Sequence, residues 1–181
     1  MIRSLGILAV VCYVPFAFAD VESGPKAGEK GSELKVFSVS GTIENKEVDY
    51  AKERGDAPTV YMFVNAEKFG RPMNQFMKTL DKKLPGIDEK AMGVAIWLSG
   101  DTDKAKEFLP KVQTSVKYEN TALTVFPGEV AGPKGWAINP DAHLTVVVVV
   151  AGIVVKSFAY DTVNDTDVKN VEEALKKALK K

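Results

Sequence analysis

The hydrophobic positions of this chain change period several times, and each change marks an element. Leu34 to Val39 (LKVFSV) alternates apolar and polar, the pattern of a half-buried strand. After Gly41, Thr42-Ile43 and Glu47-Val48-Asp49 flank Glu44-Asn45-Lys46 and predict a second, short strand pair around a turn. Tyr50 to Arg54 fits one helical turn closed by Gly55. Thr59 to Val64 is β-branched and aromatic with little alternation, as in a strand buried on both faces. Met73, Phe76, Met77, Leu80 and Leu84 then recur at helical spacing, with Pro72 at a first helical position and Pro85-Gly86 as a stop. Gly93 to Leu98 predicts another buried strand. Asp101 is placed to cap a helix with Ala105, Phe108, Leu109 and Val112 inward, which Pro110 is expected to kink or break. Thr121 to Phe126 is a further strand, followed by a Gly/Pro-rich connection from Pro127 to Asp141. Leu144 to Val150 and Ile153 to Tyr160 form a hairpin around Ala151-Gly152. Asn164 or Asp165 caps a last helix with Val168, Val171, Leu175, Ala178 and Leu179 inward.

The order is a strand hairpin, then β-α-β-α-β, then β-β-α. Parallel crossovers followed by an antiparallel hairpin and a terminal helix predict an α/β fold: a mixed sheet with helices on both faces and an N-terminal β-hairpin. One domain accommodates all of it, over residues 32–181. Residues 20–31 (DVESGPKAGEKG) are polar and read as a flexible N-terminal segment.

The first 19 residues have a different character. Arg3 precedes an apolar run from Leu5 to Phe16, and Ala17-Phe18-Ala19 has the small-x-small form of a signal-peptidase site. The run is short for a membrane span. The expectation is a signal peptide over 1–19, cleaved before Asp20, and an exported protein, periplasmic or secreted, with no stable membrane span. An uncleaved anchor is the alternative. Lipoprotein processing at Cys12 is disfavoured by the bulky Val11 before it. Cys12 is the only cysteine in the sequence. Cleavage removes it, so the mature chain has neither a disulfide nor a thiolate nucleophile. Lys+Arg and Asp+Glu are both 24, a balance that gives no electrostatic reason to bind nucleic acid.

Three stretches carry a resemblance to the thioredoxin fold, in the branch of peroxiredoxins and exported thiol reductases. "GPKAGEKGSELKVFSVSG" resembles that branch's lead-in and N-terminal hairpin, and "HLTVVVVVAGIVVKSF" its late hairpin. "TVYMFVNAEKFGRPM" resembles the core strand and active-site turn, whose usual form is Ala-x-Trp-Cys-Gly-Pro-Cys. Ala66 and Gly70 match it. Lys68 stands for the Trp, Phe69 for the first Cys, Arg71 for the Pro and Pro72 for the second Cys. Leu144, followed by Thr145, stands where the family places a cis-proline. The resemblance implies a scaffold. The departures fall on its chemistry, because Phe69 supplies no nucleophile.

Other chemistry is thinly supported. His143 is the only histidine, a possible base or ligand beside Asp141, but more simply a loop-edge residue with one hydrogen bond. Asp161, Asn164, Asp165 and Asp167 resemble a calcium loop, yet Val163 and Thr166 stand at its third and sixth positions. No metal site and no cofactor is expected. Trp136 in "GPKGW" either folds over the core edge or meets a partner.

The resulting expectation is a non-catalytic binding or accessory protein. Its candidate surface is the degenerate elbow (Asn65, Phe69, Arg71 and Pro72), and its partner a protein or peptide in the cell envelope. The alternative is an enzyme of the same scaffold that uses an external thiol or non-redox chemistry.

Overall fold

The structure is a computed structural model and describes residues 21–180. The expected leader, its cleavage site and Cys12 lie outside the described residues. Among the described residues, seven strands form one sheet in the order β2-β1-β5-β4-β3-β6-β7. They are β1 (Lys35–Ser40), β2 (Lys46–Asp49), β3 (Thr59–Asn65), β4 (Met92–Leu98), β5 (Thr121–Val125), β6 (Leu144–Val150) and β7 (Ile153–Tyr160). The helices are α1 (Tyr50–Arg54), α2 (Arg71–Lys83), α3 (Thr102–Val116) and α4 (Val168–Leu179). Strands β3, β4 and β5 are parallel, while β1, β2, β6 and β7 join antiparallel. This is the mixed sheet with an N-terminal hairpin that the sequence pattern predicts.

Strand order explains where the helices go. The crossovers β3-α2-β4 and β4-α3-β5 step the same way along the sheet. Both are right-handed connections, so α2 and α3 fall on the same face. There they join α4 over Val60, Met62, Val64, Trp97 and Val146. The opposite face receives the short α1, the N-terminal segment before β1 and the connection from β5 to β6, which must pass β4 and β3 to reach its place. Trp136 anchors that passage. It is fully buried, its ring meets Tyr61 at 4.9 Å and Phe63 at 5.1 Å, and its Nε1–H donates to the Glu33 carbonyl. Of the two expectations for Trp136, burial against the core is the one found.

Several local expectations change. Thr42 and Ile43 form no strand. Asn45 at φ 55° turns the chain so that β2 pairs directly on β1, with Val36 opposite Val48. Pro110 does not end α3, which runs unbroken to Val116. Phe108 sits on the flank of the inner stripe at 42% exposure, because that stripe is complete with Ala105, Leu109 and Val112. The polar segment before β1 is docked. Gly24 and Gly28 N–H groups donate to Ala137 and Val154, and Gly31 donates to Gly152. Ser23 and Ser157 side chains add further bonds, Ser23 to Thr145 and Ser157 to the Pro25 carbonyl, but a polar composition does not distinguish such docking from solvation. Asn164 caps a short 3-10 turn, Asp165–Asp167, that leads into α4. Asp167 completes the capping box by accepting from the Asn164 N–H.

Candidate functional site

The C-terminal ends of β3 and β4 lie side by side, Val64 against Trp97 and Asn65 against Leu98. The chain leaves β3 through a 3-10 turn, Ala66–Lys68, and enters α2 at Arg71. Asn65 fixes this elbow. Its Oδ1 accepts the Glu67 N–H at 3.1 Å, its Nδ2 donates to the Pro140 carbonyl at 3.1 Å, and its backbone N–H donates to His143 O. A residue proposed from sequence as binding surface is therefore 8% exposed, with its amide engaged inside the fold.

Phe69 is half-buried. Its ring meets Trp97 edge-on at 4.7 Å and Phe108 at 6.2 Å. Trp97 is itself 2% exposed, so Phe69 closes over it where the resemblance places the first sulfur. Sequence reasoning missed Trp97 and Phe108 as members of this cluster. The signal was available: in a parallel strand pair the last residues of both strands reach the same end of the sheet.

Gly70 precedes α2 in extended conformation, and no side chain caps the helix. Pro72 falls in the first turn, where its missing N–H costs nothing. The first turn holds no acid and contains Arg71, which is exposed. The positive end of the helix dipole and a guanidinium therefore lie together beside Phe69, an arrangement that favours anions. The other candidate positions separate. Leu144 is fully buried and pairs with Val64, while Thr145 turns to the opposite face and shares a 2.6 Å hydrogen bond with Ser23. No cis peptide bond occurs among the described residues. His143 is held by its backbone: its N–H donates to Tyr160 O at 2.9 Å. Among the described residues no ion pair joins it to Asp141, and no cluster of three or more His, Cys, Asp or Glu side chains is placed to hold a metal. Burial raises the Tyr160 phenol well above the ordinary tyrosine range, with the Asp167 charge adding to the shift.

No protein-family model and no curated protein matches the sequence. Solved structures do. A protein described as the thiol:disulfide interchange protein DsbE from Chlorobium tepidum is 16% identical with a TM-score of 0.60, over 85% of this chain and 98% of that one. Peroxidoxin BcpB from Mycobacterium tuberculosis is 16% identical with a TM-score of 0.61, over 84% and 97%. The pneumococcal exposed lipoprotein thioredoxin from Streptococcus pneumoniae is 10% identical with a TM-score of 0.56, over 78% and 98%. The chain thus has the thioredoxin-like fold of the redoxin proteins. Its sequence from residue 13 onward contains no cysteine with which to perform their thiol chemistry.

Proposed function

We propose that the chain is an exported thioredoxin-like domain that binds a protein or peptide in the cell envelope and performs no thiol chemistry at its elbow. One observation carries this reading: Phe69 stands at the nucleophile's place and covers Trp97 with its ring, beside the exposed Arg71. A thiolate mechanism needs a sulfur stabilised by the helix N-terminus. Here the same position offers an aromatic contact flanked by positive charge, which suits an apolar side chain next to a carboxylate. Export is supported by the character of residues 1–19. It also fits that one structural neighbour is an exposed lipoprotein.

The test uses purified protein in insulin-reduction and peroxide-consumption assays, where the expected result is no turnover above buffer. Robust turnover after rigorous purification would replace this reading with the enzymatic one. A parallel pull-down from envelope extract compares the wild type with the Phe69→Ala/Arg71→Ala variant. At least one partner should be lost from the variant, and equal recovery of every partner would remove the elbow as the binding surface. N-terminal sequencing of the protein recovered from cells should begin at Asp20.

A further inference from the structure

At the other end of the sheet from the elbow, β7 and α4 diverge and leave an open groove of about 680 Å³. Its floor is apolar: Ile153 and Val155 from β7, Ala174 and Ala178 from α4. Ile153 is 41% exposed, one of two large hydrophobic side chains so exposed among the described residues. The small alanines keep α4 from filling the gap that their own stripe faces. Lys156 and Lys177 stand on the rim. Lys177 makes no ion pair among the described residues, and the Lys156 ammonium lies 4.8 Å from the Phe158 ring centroid without a carboxylate partner. Glu173 also lines the groove, but it is engaged by Lys169 at 3.8 Å.

The groove does not offer a strand edge. β7 is the last strand of the sheet, yet at this level its outer backbone is already paired. Gly28 N–H donates to Val154 O, Val154 N–H to Glu29 O, and Gly31 N–H to Gly152 O. A peptide adding itself as a strand would find these groups occupied. What remains is a trough of ligand-pocket size, lined by Ile153, Val155 and two alanines together with Asn170 and Glu173, with two lysines that make no ion pair among the described residues. We infer that the groove between β7 and α4 binds an anionic amphiphile, with its alkyl chain on Ile153, Val155, Ala174 and Ala178 and its carboxylate at Lys156 and Lys177.

The test is an amide-resonance titration of the purified protein with octanoate, decanoate and dodecanoate, with decylammonium as the reversed-charge control. Saturable shifts are expected at Ile153, Val155, Ala174 and Ala178. Affinity should rise about twofold to threefold per added methylene, less than full burial would give because the groove is open. Decylammonium should bind about tenfold more weakly than decanoate, and Lys156→Glu/Lys177→Glu should reduce decanoate affinity by a similar factor. Both lysines are exposed, so losing the Lys156–Phe158 contact and reversing charge in the last turn of α4 should lower the melting temperature by only about 2–4 °C. Absence of saturable shifts at the four floor residues would overturn the assignment. Equal binding of decanoate and decylammonium would do the same. So would sedimentation showing that the groove joins two copies of the chain, with Ile153→Glu returning a dimer to monomer.

Discussion

Asp81 shows how a single side chain can hold a loop. It is 4% exposed and makes no ion pair among the described residues. Its two oxygens instead accept the N–H groups of Asn120 at 2.8 Å and Glu119 at 3.2 Å, and its own carbonyl accepts from Asn120 Nδ2. The carboxylate on α2 therefore fixes the turn that starts β5, and through it the register of a central parallel strand. Removing it leaves two part-buried N–H groups without their charged acceptor. Asp81→Ala should cost about 1–2 kcal/mol, and Asp81→Asn about half of that because one acceptor remains. Urea unfolding checks this: the midpoint should fall with the slope unchanged. An Asp81→Ala protein as stable as the wild type would show that water satisfies the turn instead.

The elements show where sequence pattern was sufficient and where it was not. Helix α2 starts against its own dipole, with Arg71 in the first turn and no acid there. Such a departure from local preference is common where a surface has a task. Arg71→Glu should therefore raise stability by about 0.5 kcal/mol while reducing partner recovery in the pull-down. A neutral or negative effect on stability would mean that Arg71 has a favourable contact of its own. The core strands and α2 were legible because their burial is written as period: Thr59 to Val64 without alternation, Met73 to Leu84 in a stripe. The Phe108 position was misread because helical spacing alone gives a stripe without its width, and Ala105, Leu109 and Val112 already complete it. The docking of residues 21–31 was invisible, since its backbone bonds leave no compositional trace and its partners, Thr145, Asn139 and Ser157, lie more than a hundred residues away. At the site, the loss of sulfur could be read directly at Phe69. The aromatic bed of Trp97 and Phe108 depends on strand register, which the sequence does not spell out.

A second element-level contact joins helices that are far apart in sequence. Glu172 on α4 accepts from Lys176 at 2.6 Å and from Lys83 of α2 at 2.8 Å. Hydrogen bonds from Lys176 and then Lys83 hold its carboxyl below the ordinary glutamate range. A carboxyl with a lowered folded-state pKa binds fewer protons folded than unfolded. Its contribution is complete above the ordinary glutamate value of about 4.3 and is lost as pH falls through the lower folded value. Glu172→Gln should thus cost about 0.5–1 kcal/mol at neutral pH, since the pair is only partly shielded from water. The difference from wild type should close progressively below about pH 4. A gap that stays constant down to strongly acidic pH would assign the loss to packing instead of charge.

At the scale of the molecule, the sheet separates two cores of unequal construction. One is covered by three helices, the other by α1, the segment before β1 and an irregular connection held by Trp136. Irregular cover usually opens more easily than helical cover, because its backbone bonds are fewer and less cooperative. Here, however, the two cores share every central strand: Met62 faces one and Tyr61 the other, and the same alternation runs through β4 and β6. Neither layer can come apart without exposing the back of the strands that the other needs. The two tryptophans report on this separately, since Trp97 belongs to the helical face and Trp136 to the irregular one. In Trp97→Phe and Trp136→Phe variants, each retaining one reporter, fluorescence and far-ultraviolet circular dichroism should give coincident urea transitions within each protein, as a single cooperative unit requires. If the Trp136 signal moved at lower urea than the circular dichroism, the connection would be a separately unfolding layer. The sheet and the helical face would then be the cooperative unit by themselves.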